Sequence, residues 1–331
     1  MMSTPISTRG WLPWLAVAAL LLAVPPALGT YELYVINIAL VNIVLATGLN
    51  LLTGNAGQIS LCNSSFMAIG AYACTLLVAA AGLSFWLALP AAGIVAAAFG
   101  CALALPAMRL SGFHLALATL GFLEITQIMI EEFPNVTGGI RGMIAPRPTL
   151  FGWKLGSDLG LYYAVMPIVV GLVLVARNLV RSPVGRAFDA IRNSIPAAQS
   201  LGISPERTKL IAFAIAALYA GVAGGLGAAV VGFIDPVEYG AGAALRHVTF
   251  IVVGGIGSTA GSIVGAVVLT LLPELLRGLK EYSDFVYAAL LLAFLILLPQ
   301  GLVGLGPKLV HLRRRKGGLA RPALKPEGGP P

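Results

Sequence analysis

The residues able to do chemistry are few, and none is spaced for it. Lys154, Lys209, Lys280, Lys308, Lys316 and Lys325 are followed by Leu, Leu, Glu, Leu, Gly and Pro. No Gly-Lys-Ser/Thr loop therefore exists to cradle a nucleotide phosphate. His114, His247 and His311 stand far apart without a His-Glu-x-x-His motif, and no Gly-x-Ser-x-Gly elbow exposes a nucleophile. A nucleophile and base brought together only by the fold is the one enzymatic route left. Cys62, Cys74 and Cys101 share no metal-ligand spacing and read as small packing residues. No catalytic residue, metal or cofactor is expected. Glu124 is the ionisable residue deepest inside an apolar run, whereas Arg246 and Glu274 lie near enough to helix ends to snorkel. A carboxyl group there would sense an ammonium group or a proton, or pair with a neighbouring helix as packing glue.

The elements that must position these residues are set by composition. Of 331 residues, 58% are hydrophobic and 10% charged, against about 25% charged in a soluble domain. The apolar runs do not alternate as barrel strands would, so an all-α, polytopic helical membrane protein is expected. Segments at 11–30, 31–53, 66–82, 83–108, 112–131, 160–180, 209–231, 244–258, 261–279 and 285–303 give about ten transmembrane helices. The first resembles a signal peptide, but a second apolar run follows at once, which favours a retained helix. A single transmembrane domain is expected over 1–306, with a basic, disordered cytoplasmic tail at 307–331.

The net charge of +8 comes from Lys and Arg lying between the apolar runs, which is the positive-inside pattern of a membrane protein rather than a nucleic-acid groove. The cluster from Arg177 to Lys209 and the run Arg313-Arg314-Arg315-Lys316 place the 181–208 loop and both termini in the cytoplasm. The 132–159 loop then lies outside.

Two glycine-rich segments break the helical runs: Gly54 to Ser60, followed by Cys62-Asn63-Ser64-Ser65, and Gly254 to Gly261. Broken backbone at membrane depth is tolerated only where protein or a water-filled cavity satisfies it. Gly54, Asn55, Gly57, Gln58 and Ser60, with Glu124, are therefore read as residues of a translocation pathway. The alternative is a pair of turns at the membrane surface. Crossing parity puts both breaks on the cytoplasmic side, so they do not imply an inverted repeat.

The loop from Ser182 to Arg207 carries three helix starts: Ser182-Pro183, Pro196 and Ser204-Pro205, with Gly202 ending the second helix. Val184, Phe188, Ile191, Ala198 and Leu201 supply an apolar face beside Arg186 and Arg192. A folded cytoplasmic element with something to dock on is expected; an amphipathic pair lying on the lipid surface is the alternative.

These residues carry a family resemblance. The run from Gly185 to Arg192, with Ala197 to Ile203, resembles the signature of LivM-like permease subunits of branched-chain amino-acid ABC importers. So do Gly54 to Ala73, Leu105 to Gly112, Thr137 to Gly142 and Val252 to Ser258. The resemblance implies a second, LivH-like permease, two cytoplasmic ABC ATPase subunits and an external substrate-binding protein, assembled in a bacterial or archaeal inner membrane. It also implies that Gly185, Arg186, Phe188, Ala190, Ile191, Arg192, Ala197, Ala198, Leu201 and Gly202 form the loop coupled to the ATPase. The cargo implied is Leu, Ile, Val or a related small amino acid or amide. The competing reading is an ion-coupled transporter or channel built on Glu124.

Overall fold

The computed structural model describes residues 25–110, 112–150, 153–154, 156–278, 283–297 and 301–304. The first apolar segment up to residue 24 and the tail 307–331 lie outside the described residues. Each of the other nine apolar segments contains a helix: α1 (Thr30–Leu49), α2 (Asn63–Ala79), α3 (Phe85–Ala107), α4 (Gly112–Glu132), α6 (Asp158–Arg181), α9 (Pro205–Val231), α10 (Ala241–Gly254), α11 (Thr259–Leu276) and α12 (Ser283–Leu297). Six are long and apolar enough to cross a membrane, counting α1 with its continuation to Asn55; α2 and α10 are shorter apolar helices. Between them lie the short α5 (Pro134–Thr137), α7 (Pro183–Asn193) and α8 (Ile195–Ser200).

Serine hydroxyls start the helices, at Ser182 and Ser204 as the sequence predicts and at Ser194 two residues before the expected Pro196. Ser182 accepts from the N–H groups of Val184 and Gly185, Ser194 from Ala197 and Ser204 from Arg207. Each cap satisfies a donor that the first turn leaves without an intrahelical partner.

Helix α9 is the hub, packed on α1, α2 and α3. Lipid supplies no hydrophobic force between helices, so close approach of small residues has to hold them together. A Cβ on Gly70 of α2 would lie 2.1 Å from the Gly221 carbonyl oxygen of α9, and one on Gly224 would lie 1.9 Å from that of Met67. The α10–α11 pair is equally tight, since a Cβ on Gly265 would meet the Phe250 carbonyl oxygen at 1.9 Å. Polar groups add specific ties. Asn37 Nδ2 donates to the Asp158 carbonyl at 3.0 Å and Asn42 Nδ2 to Thr270 Oγ1 at 2.9 Å. Such interhelical bonds average only about 0.6 kcal/mol, so packing dominates and the polar ties set register.

The bundle has two ends. One gathers the chain at 55–63, 107–110, 181–205 and 254–259; Lys209 Nζ there donates to the carbonyls of Met108 and Leu110. The other gathers 79–85, 132–150, 153–154, 156–158 and 231–241. There β1 (Met143–Ile144) pairs antiparallel with β4 (Phe233–Ile234), and β2 (Thr149–Leu150) with β3 (Trp153–Lys154).

Candidate functional site

The two glycine-rich breaks meet at the first end. Helix α1 does not stop at Leu49 but rewinds into a π-helical segment, Asn50–Asn55, a form that concentrates at functional positions. Asn50 Oδ1 accepts from the backbone N–H of Gly257 at 2.8 Å. Gly54 sits between them, and a Cβ there would lie 2.0 Å from Asn50 Oδ1 and 2.5 Å from the Gly257 nitrogen. Gly57 and Gly257 adopt φ of +68° and +84°, the left-handed region that glycine enters without steric cost. Arg192, from the 181–208 loop, completes the junction by donating through Nη1 to the Gly54 carbonyl.

Beyond Gly57 the break is lined by its own polar groups. Thr53 Oγ1 donates to the Gln58 carbonyl and Gln58 Nε2 to that of Ala56, both at 3.1 Å, while the Leu61 N–H donates to Thr119 Oγ1 of α4 at 3.1 Å. Asn55, Gln58 and Ser60 are buried. Burial pushes the Cys62 thiol up to about 12, which holds it neutral beside Ser60. Helix α2 then begins without a side-chain cap. Both polar atoms of Asn63 and the hydroxyls of Ser64 and Ser65 are buried without a hydrogen-bond partner among the described residues. Unpaired buried polar atoms are costly and call for water or a polar guest. The sequence shows these three residues as the polar run that follows the first break, without marking them as lining residues.

The 181–208 loop folds as expected into a helical hairpin, α7 and α8, seated against α6, α9 and the π-helical segment. Its faces divide differently from expectation. Phe188 is 0% exposed, and Gly185, Ile191 and Ala198 are buried as well. The apolar face read from the sequence is therefore split: Phe188, Ile191 and Ala198 are covered by this chain's own core, and Leu201 is left outside it. Gly185 is required there, since a Cβ would lie 2.2 Å from the Val180 carbonyl oxygen. Ala190 is half-buried. Arg186, Asp189, Asn193, Pro196, Ala197, Leu201 and Gly202 make the exposed face, and Leu201 is 78% exposed.

Glu124 is not gathered to this junction. It lies on the exposed side of α4 with Leu117, Ile125 and Ile128, and among the described residues no pairing with a neighbouring helix of this chain is seen. A cleft of about 1190 Å³ opens at the other end of the bundle, between α1, α10 and α11, lined among others by Tyr31, Asn42, His247 and Thr270. Its rim carries the ion pairs Arg246–Glu238 (3.1 Å) and Arg277–Glu274 (3.4 Å), so both suspected snorkelling residues find partners. Sequence gave no sign of this cleft, because its walls come from segments more than 200 residues apart. Among the described residues no group of His, Cys, Asp and Glu could hold a metal ion.

Broken helices, glycine-mediated packing and six helices long and apolar enough to cross a membrane define a polytopic helical membrane protein. A family model described as "Branched-chain amino acid transport system / permease component" matches residues 32–295, and the chain belongs to that family. It is 37% identical over 313 residues to the high-affinity branched-chain amino acid transport system permease protein LivM of Escherichia coli K12, covering 87% of this chain and 74% of that one. The LivM of Salmonella typhimurium is 38% identical over 291 residues, 81% and 68% of the two chains. The Salmonella typhimurium permease protein LivH is 30% identical over 279 residues, 78% of this chain and 90% of its own length. No solved structure matches. The chain is a transport permease and not itself an enzyme.

Proposed function

We propose that the chain is the LivM-like membrane subunit of an ATP-driven importer that passes branched-chain or related small amino acids across the plasma membrane. It works with a second, LivH-like permease, two cytoplasmic ATPase subunits and an external binding protein. The observation that carries this reading is the α7–α8 hairpin, a folded element with a buried side seated on the bundle and an exposed polar-apolar side turned away from it. A chain without a nucleotide site of its own has use for such a surface where ATPases dock.

Orientation follows from charge. The hairpin end carries Arg109, Arg177, Arg181, Arg186, Arg192, Arg207 and Lys209 against Asp189 and Glu206, and this excess of positive charge supports a cytoplasmic position for it. The polar residues from Gly54 to Ser65 then lie at the cytoplasmic end of the route and the 1190 Å³ cleft at its external end. Glu124, facing outward from α4, reaches the route only through a surface shared with the second permease. The ion-coupled alternative has no support in the relatives, which are permease components of amino acid transport systems.

The test is transport by the complete complex in proteoliposomes. Radiolabelled leucine should accumulate only when ATP and the binding protein are both supplied. Accumulation driven by an ion gradient without ATP would overturn the reading.

A further inference from the structure

Arg192 is exposed, yet the end of its side chain reaches from the hairpin to the breaks. Nη1 donates to the Gly54 carbonyl, one of the last-turn acceptors that a helix leaves without a partner at the negative end of its dipole. The same nitrogen stands 3.0 Å from where a Cβ on Gly257 would be, and the Arg192 Cγ stands 3.0 Å from where one on Gly57 would be. The side chain therefore runs through space that two glycines keep open, Gly57 beside its stem and Gly257 beside its guanidinium. Asn50 then ties Gly257 to the π-helical segment. Among the described residues no carboxylate pairs with Arg192, since the ion pairs are those at the other end of the bundle.

Three elements thus share one polar knot: the end of α1, the turn between α10 and α11, and the hairpin. Phe188 and Ile191 seat α7 by packing, which tolerates sliding, whereas a hydrogen bond to a carbonyl is directional. A shift of α7 must either carry the breaks with it or part Arg192 from Gly54.

Building on the importer reading above, we propose that Arg192 is the positioning residue through which movement of the α7–α8 hairpin reaches both glycine-rich breaks. It does not touch the cargo. It sets whether the breaks follow the hairpin.

The experiment uses the full complex in proteoliposomes and measures radiolabelled leucine accumulated per ATP hydrolysed. Arg192→Ala should keep its ATPase subunits and its ATP hydrolysis yet accumulate less leucine per ATP by about tenfold, the factor that loss of one hydrogen bond to a charged group corresponds to. Arg192→Lys should recover part of that ratio. Gly257→Ala, whose methyl group presses on the guanidinium, should uncouple in the same way and add little in the Arg192→Ala background, since the two act through one contact. If Arg192→Ala moves as much leucine per ATP as the parent, the proposal is wrong. It is equally wrong if the only losses are in complex yield and melting temperature, which would make Arg192 a structural anchor. Failure of the importer reading would show separately, in a parent complex that captures no ATPase.

Discussion

The side-chain oxygen of Asn50 accepts from the backbone N–H of Gly257 at 2.8 Å, across 207 residues of chain. The bond fastens the two glycine-rich breaks to each other, and Asn50 is buried. Asn50→Ala removes the acceptor of the part-buried Gly257 N–H, at a cost of about 0.5–1.5 kcal/mol. Asn50→Asp keeps the acceptor and should cost less. Melting of the detergent-solubilised protein checks this: equal melting temperatures for parent and Asn50→Ala would mean that the breaks are held by something else.

Lys209 offers a second buried test. Its Nζ donates at 3.3 Å to the carbonyls of Met108 and Leu110, just past the last turn of α3, where a cation also complements the helix dipole. Lys209→Met preserves the length of the side chain and removes both donors, so stability should fall by about 1–3 kcal/mol. Lys209→Arg, which can still donate to both, should lie nearer the parent. The fraction of monodisperse protein surviving a heat step is the readout, and an unchanged Lys209→Met profile would refute the assignment.

Much of this was legible in the sequence, and for identifiable reasons. Apolar run length located nine helices, and Ser-Pro pairs marked the starts at Pro183 and Pro205, because both signals are local. The hydrogen-bond partners of Asn37, Asn42 and Asn50 were not legible, because Asp158, Thr270 and Gly257 are set against them by packing between distant segments. The split of the hairpin's apolar face was not legible for a related cause. An apolar stripe such as Phe188 and Ile191 states that something covers it, not whether the cover is another subunit or the chain's own α9. The junction of Gly54, Arg192 and Gly257 joins three distant segments at glycines, whose lack of a side chain leaves no pattern to read.

Sidedness is testable with single cysteines. Ser157 and Ser194, both exposed helix caps, lie at opposite ends of the bundle. In a background lacking Cys62, Cys74 and Cys101, cysteine at Ser157 should react with an impermeant maleimide added outside intact cells. Cysteine at Ser194 should react only after the membrane is opened. Labelling of both from one side would contradict the two-ended bundle.

Cys62 gives a pH-dependent signature. Its thiol is pushed up from an ordinary 9.0 to about 12 by burial. At pH 9–11 the unfolded chain is increasingly thiolate while the native chain stays protonated, so folding loses stability as pH rises through that window. Alkylation at pH 9 should therefore spare Cys62 in the native protein and modify it in detergent-denatured chains, with the half-buried Cys101 as an internal reference. Mass spectrometry of the tryptic peptides reads the result. Equal modification of Cys62 in both states would show that the break is open to solvent.

The last prediction separates the two faces of the hairpin. Phe188 is fully buried in this chain's own core, so Phe188→Ala should cost about 3–5 kcal/mol by leaving a cavity. That loss should appear as poor melting of the chain alone. Leu201 is 78% exposed, so Leu201→Asp should change the stability of the isolated chain by no more than about 0.5 kcal/mol. If the exposed face receives an ATPase subunit, the same substitution places a carboxylate in an apolar contact and should release that subunit during purification. Measured together, melting and co-purification should therefore respond to opposite variants. ATPase retained by Leu201→Asp and lost only through unfolding in Phe188→Ala would remove the hairpin's exposed side from the docking surface.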